Sequence, residues 1–447
     1  MNEFNLNSIS PIDGRYFDKT RVLNEYFSEK ALIYYRLKVE IEYFISLCKH
    51  GIPQLKEFNI KKFDNLREIY KNFSNDDAVE IKKIEKITNH DVKAVEYFIK
   101  QKFEELRITE FKEFIHFGLT SQDINNTAIP LSIKDFINNV YLKKIDQVLR
   151  AINDKSEELK HITIIARTHG QPATPTKLGK EFKVFWTRIN KQVNSLRDIP
   201  NSAKFGGAVG NFNAHKVAYP EIDWKKFGEN FIENELKLNY SFPTTQIEHY
   251  DSFAALCDNC RRINNIILDM CVDIWLYISK DYFKQKIVKN EVGSSAMPHK
   301  VNPIDFENSE GNLGLANSIF DFMSNKLTKS RLQRDLSDST VLRNIGVPFG
   351  HSMIAFESVL KGLDKIFVND EKIKMDIEDN WIVISEAIQT ILRREGFSNP
   401  YEILKELTRD NNKIDKLSFD QFIETLDIDE SVKNELKQIS PHNYTGI

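Results

Sequence analysis

The densest chemistry in the chain lies in Gly293-Ser294-Ser295-Ala296-Met297-Pro298-His299-Lys300-Val301-Asn302-Pro303, where two adjacent hydroxyls precede an imidazole, an ammonium and an amide. Gly293 and the two prolines interrupt any helix there. A serine serves as nucleophile or base only if its alkoxide is stabilised by cations or oriented donors, and Lys300 and Asn302 could stabilise an oxyanion. The plain alternative is a hydrophilic loop capping the helix after Pro303. A second segment, Arg167-Thr168-His169-Gly170-Gln171-Pro172-Ala173-Thr174-Pro175-Thr176, holds His169 with no apolar face to bury it. A histidine titrating near neutrality is a natural general acid, although bracing a loop is the commoner role of an isolated one.

Two further groups suit an anion. Asn89-His90-Asp91 and Ile115-His116-Phe117-Gly118-Leu119-Thr120-Ser121-Gln122-Asp123 each stand ahead of a helical stretch. Thr120 and Ser121 are good N-caps, as is Asp91 or Asn89 before Val92, and a helix start with free N–H groups attracts carboxylate or phosphate. Capping alone would also account for them. Arg15 with Tyr16, and Arg331, Arg334 and Arg343 near Ser337, Ser339 and Thr340, pair guanidinium with hydroxyl groups as phosphate recognition does. A solvated charged surface is the alternative. Gly206-Gly207-Ala208-Val209-Gly210 lacks the G-x-G-x-x-G spacing and a surrounding strand-to-helix unit, so it is read as a flexible turn and not as a dinucleotide site. Cys257 and Cys260 form a lone C-x-x-C on a helical pattern, with no second ligand pair, and are read as core.

The elements carrying these segments read as helices. Leu32, Tyr35, Val39, Phe44 and Leu47 share one helix side, stopped by Gly51 and Pro53. Val92, Val95, Phe98, Ile99, Phe103 and Leu106 form another stripe, and Phe182, Phe185, Trp186, Ile189, Val193 and Leu196 a third. Ile263 to Ile278 is apolar on nearly every side and requires partners all round, as in a bundle or an oligomer interface. Strand patterns are short and do not alternate with helices, which argues against a parallel α/β sheet. The expected class is all-α, with several polar loops forming one composite site on a helical frame.

The bulk properties narrow the setting. The 447 residues allow two or three domains, and 41% hydrophobic with 28% charged residues is ordinary for a globular chain. A net charge of −3 argues against nucleic-acid binding but leaves room for a local cationic site. Met1 to Ser10 carries no signal pattern, Asp269 and Asp273 interrupt the most apolar stretch, and four cysteines suggest no disulfide framework. A cytoplasmic protein with no membrane partner is expected.

Six segments together carry a resemblance. Ser10-Pro11-Ile12-Asp13-Gly14-Arg15-Tyr16, the 167–176 segment, Thr245-Gln246-Ile247-Glu248-His249, the 293–303 loop, Ile304-Asp305-Phe306-Glu307-Asn308, and Gln333-Arg334-Asp335-Leu336-Ser337-Asp338-Ser339-Thr340-Val341-Leu342-Arg343-Asn344 occur in the order found in the fumarase/aspartase lyase superfamily. Across almost the whole chain they resemble its branch that acts on succinylated purine nucleotides. The ending at Tyr444-Thr445-Gly446-Ile447 departs from relatives with a short extra tail, which bears on C-terminal packing.

The resemblance implies a three-domain all-α fold: an N-terminal helical domain at 1–111, a long-helix bundle at 112–364 and a C-terminal helical domain at 365–447. It implies a homotetramer with a helical core and active sites shared between subunits. It further implies β-elimination of fumarate from adenylosuccinate, giving AMP, and from succinyl-aminoimidazole carboxamide ribotide. Ser294 is then the base and His169 the acid, with His90 supporting His169 or binding phosphate, and Lys300 and Asn302 holding the carboxylate that accumulates charge. Thr120, Ser121, Gln246 and Ser295 hold the succinyl part or the nucleobase; Arg15, Tyr16, Arg334, Ser339 and Arg343 hold the phosphate and its neighbours. Asn89, Asp91, Val301, Asn308 and Thr340 complete the substrate contacts. No metal or organic cofactor is implied. Another lyase of the superfamily and an inactive helical scaffold are the rival readings.

Overall fold

The computed structural model describes residues 6–287, 297, 300–408 and 414–447. The chain is all-α: among the described residues the only sheets are three two-stranded pairs. It divides into two compact units. One comprises 1–146, 191–265 and 311–357; the other comprises 147–190, 266–310 and 358–447.

In the first unit, the helix Glu29–His50 buries Tyr35, Val39, Phe44 and Leu47 of the expected stripe together with Leu37 and Ile41, while Leu32 is only partly buried. Ser28 caps its start by accepting from the Ala31 N–H, and Gly51, at φ 84°, closes its end in the left-handed region that glycine enters without a Cβ penalty. The helix packs on Asp91–Glu105 and Ser121–Phe136 in a core that also holds Phe98, Phe103, Ile124, Phe205 and Phe231. Burying such side chains contributes about 1.5–3 kcal/mol each, which is what holds the neighbouring polar helix starts in place. Ser121–Phe136 runs on through a π-helical turn, Ile137–Tyr141, into Leu142–Glu158.

Two expectations change at this level. The N-cap before Val92 is neither Asn89 nor Asp91 but His90, whose Nδ1 accepts the Lys93 N–H at 3.2 Å. Asn89, at φ 51°, instead ends the preceding helix Asn75–Thr88. The 206–210 glycines do form a turn, with the Gly210 N–H on the Gly207 carbonyl at 3.2 Å, but an anchored one: Gly206 and Gly207 donate their N–H groups to the buried Asp123 carboxylate.

In the second unit, the 167–176 segment is not irregular. Thr163–Thr168 and Gln171–Lys177 form an antiparallel hairpin, with a bulge between Ile165 and Arg167. The helix expected around Phe182 to Leu196 spans Leu178–Arg197, and the apolar stretch around Ile263 lies in Asp251–Ser279; each is divided between the units, at 190/191 and at 265/266, so that Ile263 belongs to the first unit. Cys257 and Cys260 are buried there, as their helical pattern suggested. A smaller core in the C-terminal part gathers Trp381, Ile388, Leu392, Phe419 and Leu436. No helix among the described residues is long and apolar enough to cross a membrane.

Candidate active site

Local structure explains why particular polar groups are displayed. Thr120 starts the helix Ser121–Phe136 and donates its N–H to Asp123 Oδ2 at 2.8 Å, a capping-box arrangement that leaves the Ser121 hydroxyl at the helix start. Ser121 Oγ lies 3.4 Å from His90 Nε2. Because His90 Nδ1 accepts a backbone N–H, the neutral ring carries its proton on Nε2, the nitrogen facing Ser121. His90 is thus a half-exposed donor beside a helix N-terminus, an arrangement suited to an anionic oxygen.

Asp91 follows directly. Its Oδ2 accepts from Arg36 at 2.7 Å and from Arg343 at 2.8 Å, and Oδ1 accepts from the Val92 N–H. Burial alone would raise this carboxyl, but the Arg36 guanidinium outweighs it and holds Asp91 below the usual range. Arg343 also pairs with Glu29 at 2.9 Å. Arg36 is deeply buried and bonded to Asn125, whereas Arg343 is 42% exposed and is the partner able to turn toward a ligand.

A second group centres on Arg334. Its guanidinium donates to Asp338 at 3.1 Å, Ser339 Oγ at 2.8 Å and Gln246 Oε1 at 3.4 Å. With the Gln122 amide turned oxygen-first, Gln122 also accepts from it at 2.6 Å. The Tyr250 hydroxyl and Asn126 continue the network behind Asp338. Gln246 donates its own amide N–H to the Ala208 carbonyl at 3.0 Å. A fork held at this angle next to a hydroxyl suits a phosphate or carboxylate.

The structure therefore brings together Arg334, Ser339 and Gln246, pairs His90 with Ser121, and joins Asp91 to Arg343. Thr340 is exposed beside Ser339 on the short helix Ser337–Leu342. Arg15 lies 5.8 Å from the Tyr16 ring centroid and, among the described residues, joins neither group by an ion pair or hydrogen bond.

In the other unit, His169 occupies the exposed tip of the hairpin at φ 52°, followed by Gly170 at φ 75°. Two positive φ values in a two-residue connection match the twist of a hairpin. The hairpin is anchored close to its tip, where Arg167 pairs with Asp376 at 3.0 Å. Lys300 is exposed, the Val301 carbonyl accepts from Gln285 at 3.1 Å, and Asn308 accepts from Ser358 at 2.8 Å. Asn302 is half-buried. Ser294, Ser295 and His299 lie outside the described residues.

Residue-by-residue reading passed over Asp123, Lys204, Arg36 and Gln122. Lys204 and Asp123 form an ion pair at 2.7 Å with both side chains fully buried. The detectable signals were an acid at the capping-box position after Thr120 and a lysine two residues ahead of the glycine run. Behind the pair, His215 packs against Gly118 and bonds Tyr43 at 3.0 Å; burial pushes its ring down to about 4.

Comparison with known proteins gives the class. A family described as lyase matches residues 14–317, and one described as adenylosuccinate lyase C-terminal matches residues 330–445. Among solved structures, a fumarate lyase from Mesorhizobium sp. BNC1 superposes with a TM-score of 0.74 at 17% identity, covering 96% of this chain and 95% of that one. The 3-carboxy-cis,cis-muconate lactonizing enzyme of Pseudomonas putida gives 0.74 at 16% identity, covering 97% and 96%. At such identities the likeness is one of fold, and with the family match it defines a helical lyase. Closer relatives narrow the class. An adenylosuccinate lyase from Dictyostelium discoideum is 56% identical, covering 99% of this chain and 97% of the relative; one from Escherichia coli (strain K12) is 46% identical with the same coverage. The chain belongs to the adenylosuccinate lyase family.

Proposed function

We propose that the chain cleaves adenylosuccinate to AMP and fumarate, and succinyl-aminoimidazole carboxamide ribotide to the carboxamide ribotide and fumarate, as a cytoplasmic homotetramer. The observation that carries the reading is 56% identity to an adenylosuccinate lyase over nearly the full length of both chains. The Arg334–Ser339–Gln246 group supports it, because it offers a planar cation and a hydroxyl to a phosphorylated substrate.

In the reaction the Ser294 alkoxide removes a proton from the carbon next to a carboxylate. That carbon is weakly acidic, so the electron pair must be accommodated as an aci-carboxylate dianion, held by Lys300 and Asn302. The pair returns to form the carbon–carbon double bond, the C–N bond breaks, and His169 protonates the departing nitrogen. His90, with its donor on Nε2, binds an anionic oxygen or supports His169. Thr120, Ser121, Gln246 and Ser295 take the succinyl carboxylates; Arg15, Tyr16, Arg334, Ser339, Thr340 and Arg343 take the nucleotide, bordered by Asn89, Asp91, Val301 and Asn308.

Trp275, Leu276, Leu315 and Phe322 are each at least 40% exposed on the single chain, which supports an assembly that covers them. The division at 111 and 364 belongs to the same reading. Incubating the purified protein with adenylosuccinate tests the function: AMP and fumarate are expected in equal amounts, and no product from folded protein overturns it.

A further inference from the structure

Asp123 joins elements that are far apart in sequence. Its Oδ1 accepts from Lys204 Nζ at 2.7 Å, from the Gly206 N–H at 2.8 Å and from the Gly207 N–H at 3.0 Å, while Oδ2 accepts from the Thr120 N–H. Lys204 Nζ also donates to the Gly207 carbonyl at 2.6 Å. Burial lowers the Lys204 ammonium, and the Asp123 carboxylate acts against that shift. One end of this network is the helix start bearing Ser121. The other is the glycine run, whose Ala208 carbonyl holds the Gln246 amide, which in turn meets Arg334.

A buried ion pair is a poor source of net stability, because desolvation offsets its attraction. Here the pair is satisfied by backbone groups on two segments, so it ties their positions together. We propose that the Asp123–Lys204 pair is the positioning element that sets Thr120-Ser121 and Gln246 at the spacing required by the two succinyl carboxylates. Neither residue touches substrate; both act through the groups they hold. The proposal rests on the assignment of Thr120, Ser121 and Gln246 to the succinyl part.

Lys204→Met keeps length and removes the cation, while three backbone N–H groups still satisfy Asp123. Inhibition of the intact enzyme is measured separately with fumarate and with AMP, alongside KM and kcat for adenylosuccinate. If the pair sets the carboxylate subsite, fumarate inhibition weakens about tenfold while AMP inhibition stays within twofold. A general loosening would weaken both alike, and that result, or an unchanged fumarate constant in folded Lys204→Met, overturns the proposal. If Lys204→Met does not fold, Lys204→Arg carries the test: it keeps the charge but not the geometry, and the same selective loss for fumarate is required. Failure of the proposal is distinct from failure of the functional reading, since an inactive wild-type enzyme defeats the latter and an active one with unselective variants defeats only the former.

Discussion

Arg334 faces a carboxylate, a hydroxyl and an amide at once, so its guanidinium is oriented before any ligand arrives. Removing a charge-assisted partner of a bound anion costs about 1.5–3 kcal/mol, so Arg334→Ala is expected to raise KM for adenylosuccinate by at least about tenfold, with a smaller change in kcat. Arg334→Lys should recover little, because a point charge cannot reproduce the planar fork. Steady-state kinetics of the folded variants checks both; an unchanged KM removes Arg334 from substrate binding. At this scale residue type alone pointed to Arg334 and Ser339, which the fold brings within 2.8 Å of each other, whereas Gln246 entered only through the resemblance. The sequence was opaque at Asp123 and Lys204, because a charge in a sequence carries no sign of burial. Their pairing depends on three N–H groups that folding delivers.

The hairpin at 163–177 shows how an element can hide. Its second strand contains Pro172 and Pro175, residues that normally argue against a strand. In a two-stranded ribbon each strand is an edge, so a missing N–H can face outward without breaking a ladder. The turn is His169-Gly170 instead of the usual Asn-Gly, which masked the hairpin signal. Helices were legible because their stripes repeat over many turns, as in Glu29–His50. Gly170→Ala tests the tip. Nothing crowds the added Cβ, so the effect is the conformational cost of φ 75°, about 1–2 kcal/mol. A modest fall in Tm with a larger proportional fall in kcat is expected, since the strain moves His169. Unaltered turnover would separate the tip from the chemistry.

Each compact unit is assembled from three separate stretches of chain. Hydrophobic periodicity reports which face of a helix is covered but not by what, so this interleaving was not readable from the stripes. The same limit applies to the proposed shared sites, which two variants can test together. Ser294→Ala and His169→Ala are each expected to lose at least about 10²-fold in turnover. If base and acid of one site come from different subunits, mixing the two under conditions that exchange subunits restores part of the activity. A mixture no more active than its components would mean that each site draws both groups from one copy. Gly118 has a consequence on a longer timescale. A Cβ there would sit 2.7 Å from the His215 ring, and the backbone is already at φ 69°. A side chain at 118 therefore demands a smaller group at 215: lineages that have lost this glycine should also have traded the imidazole for something smaller.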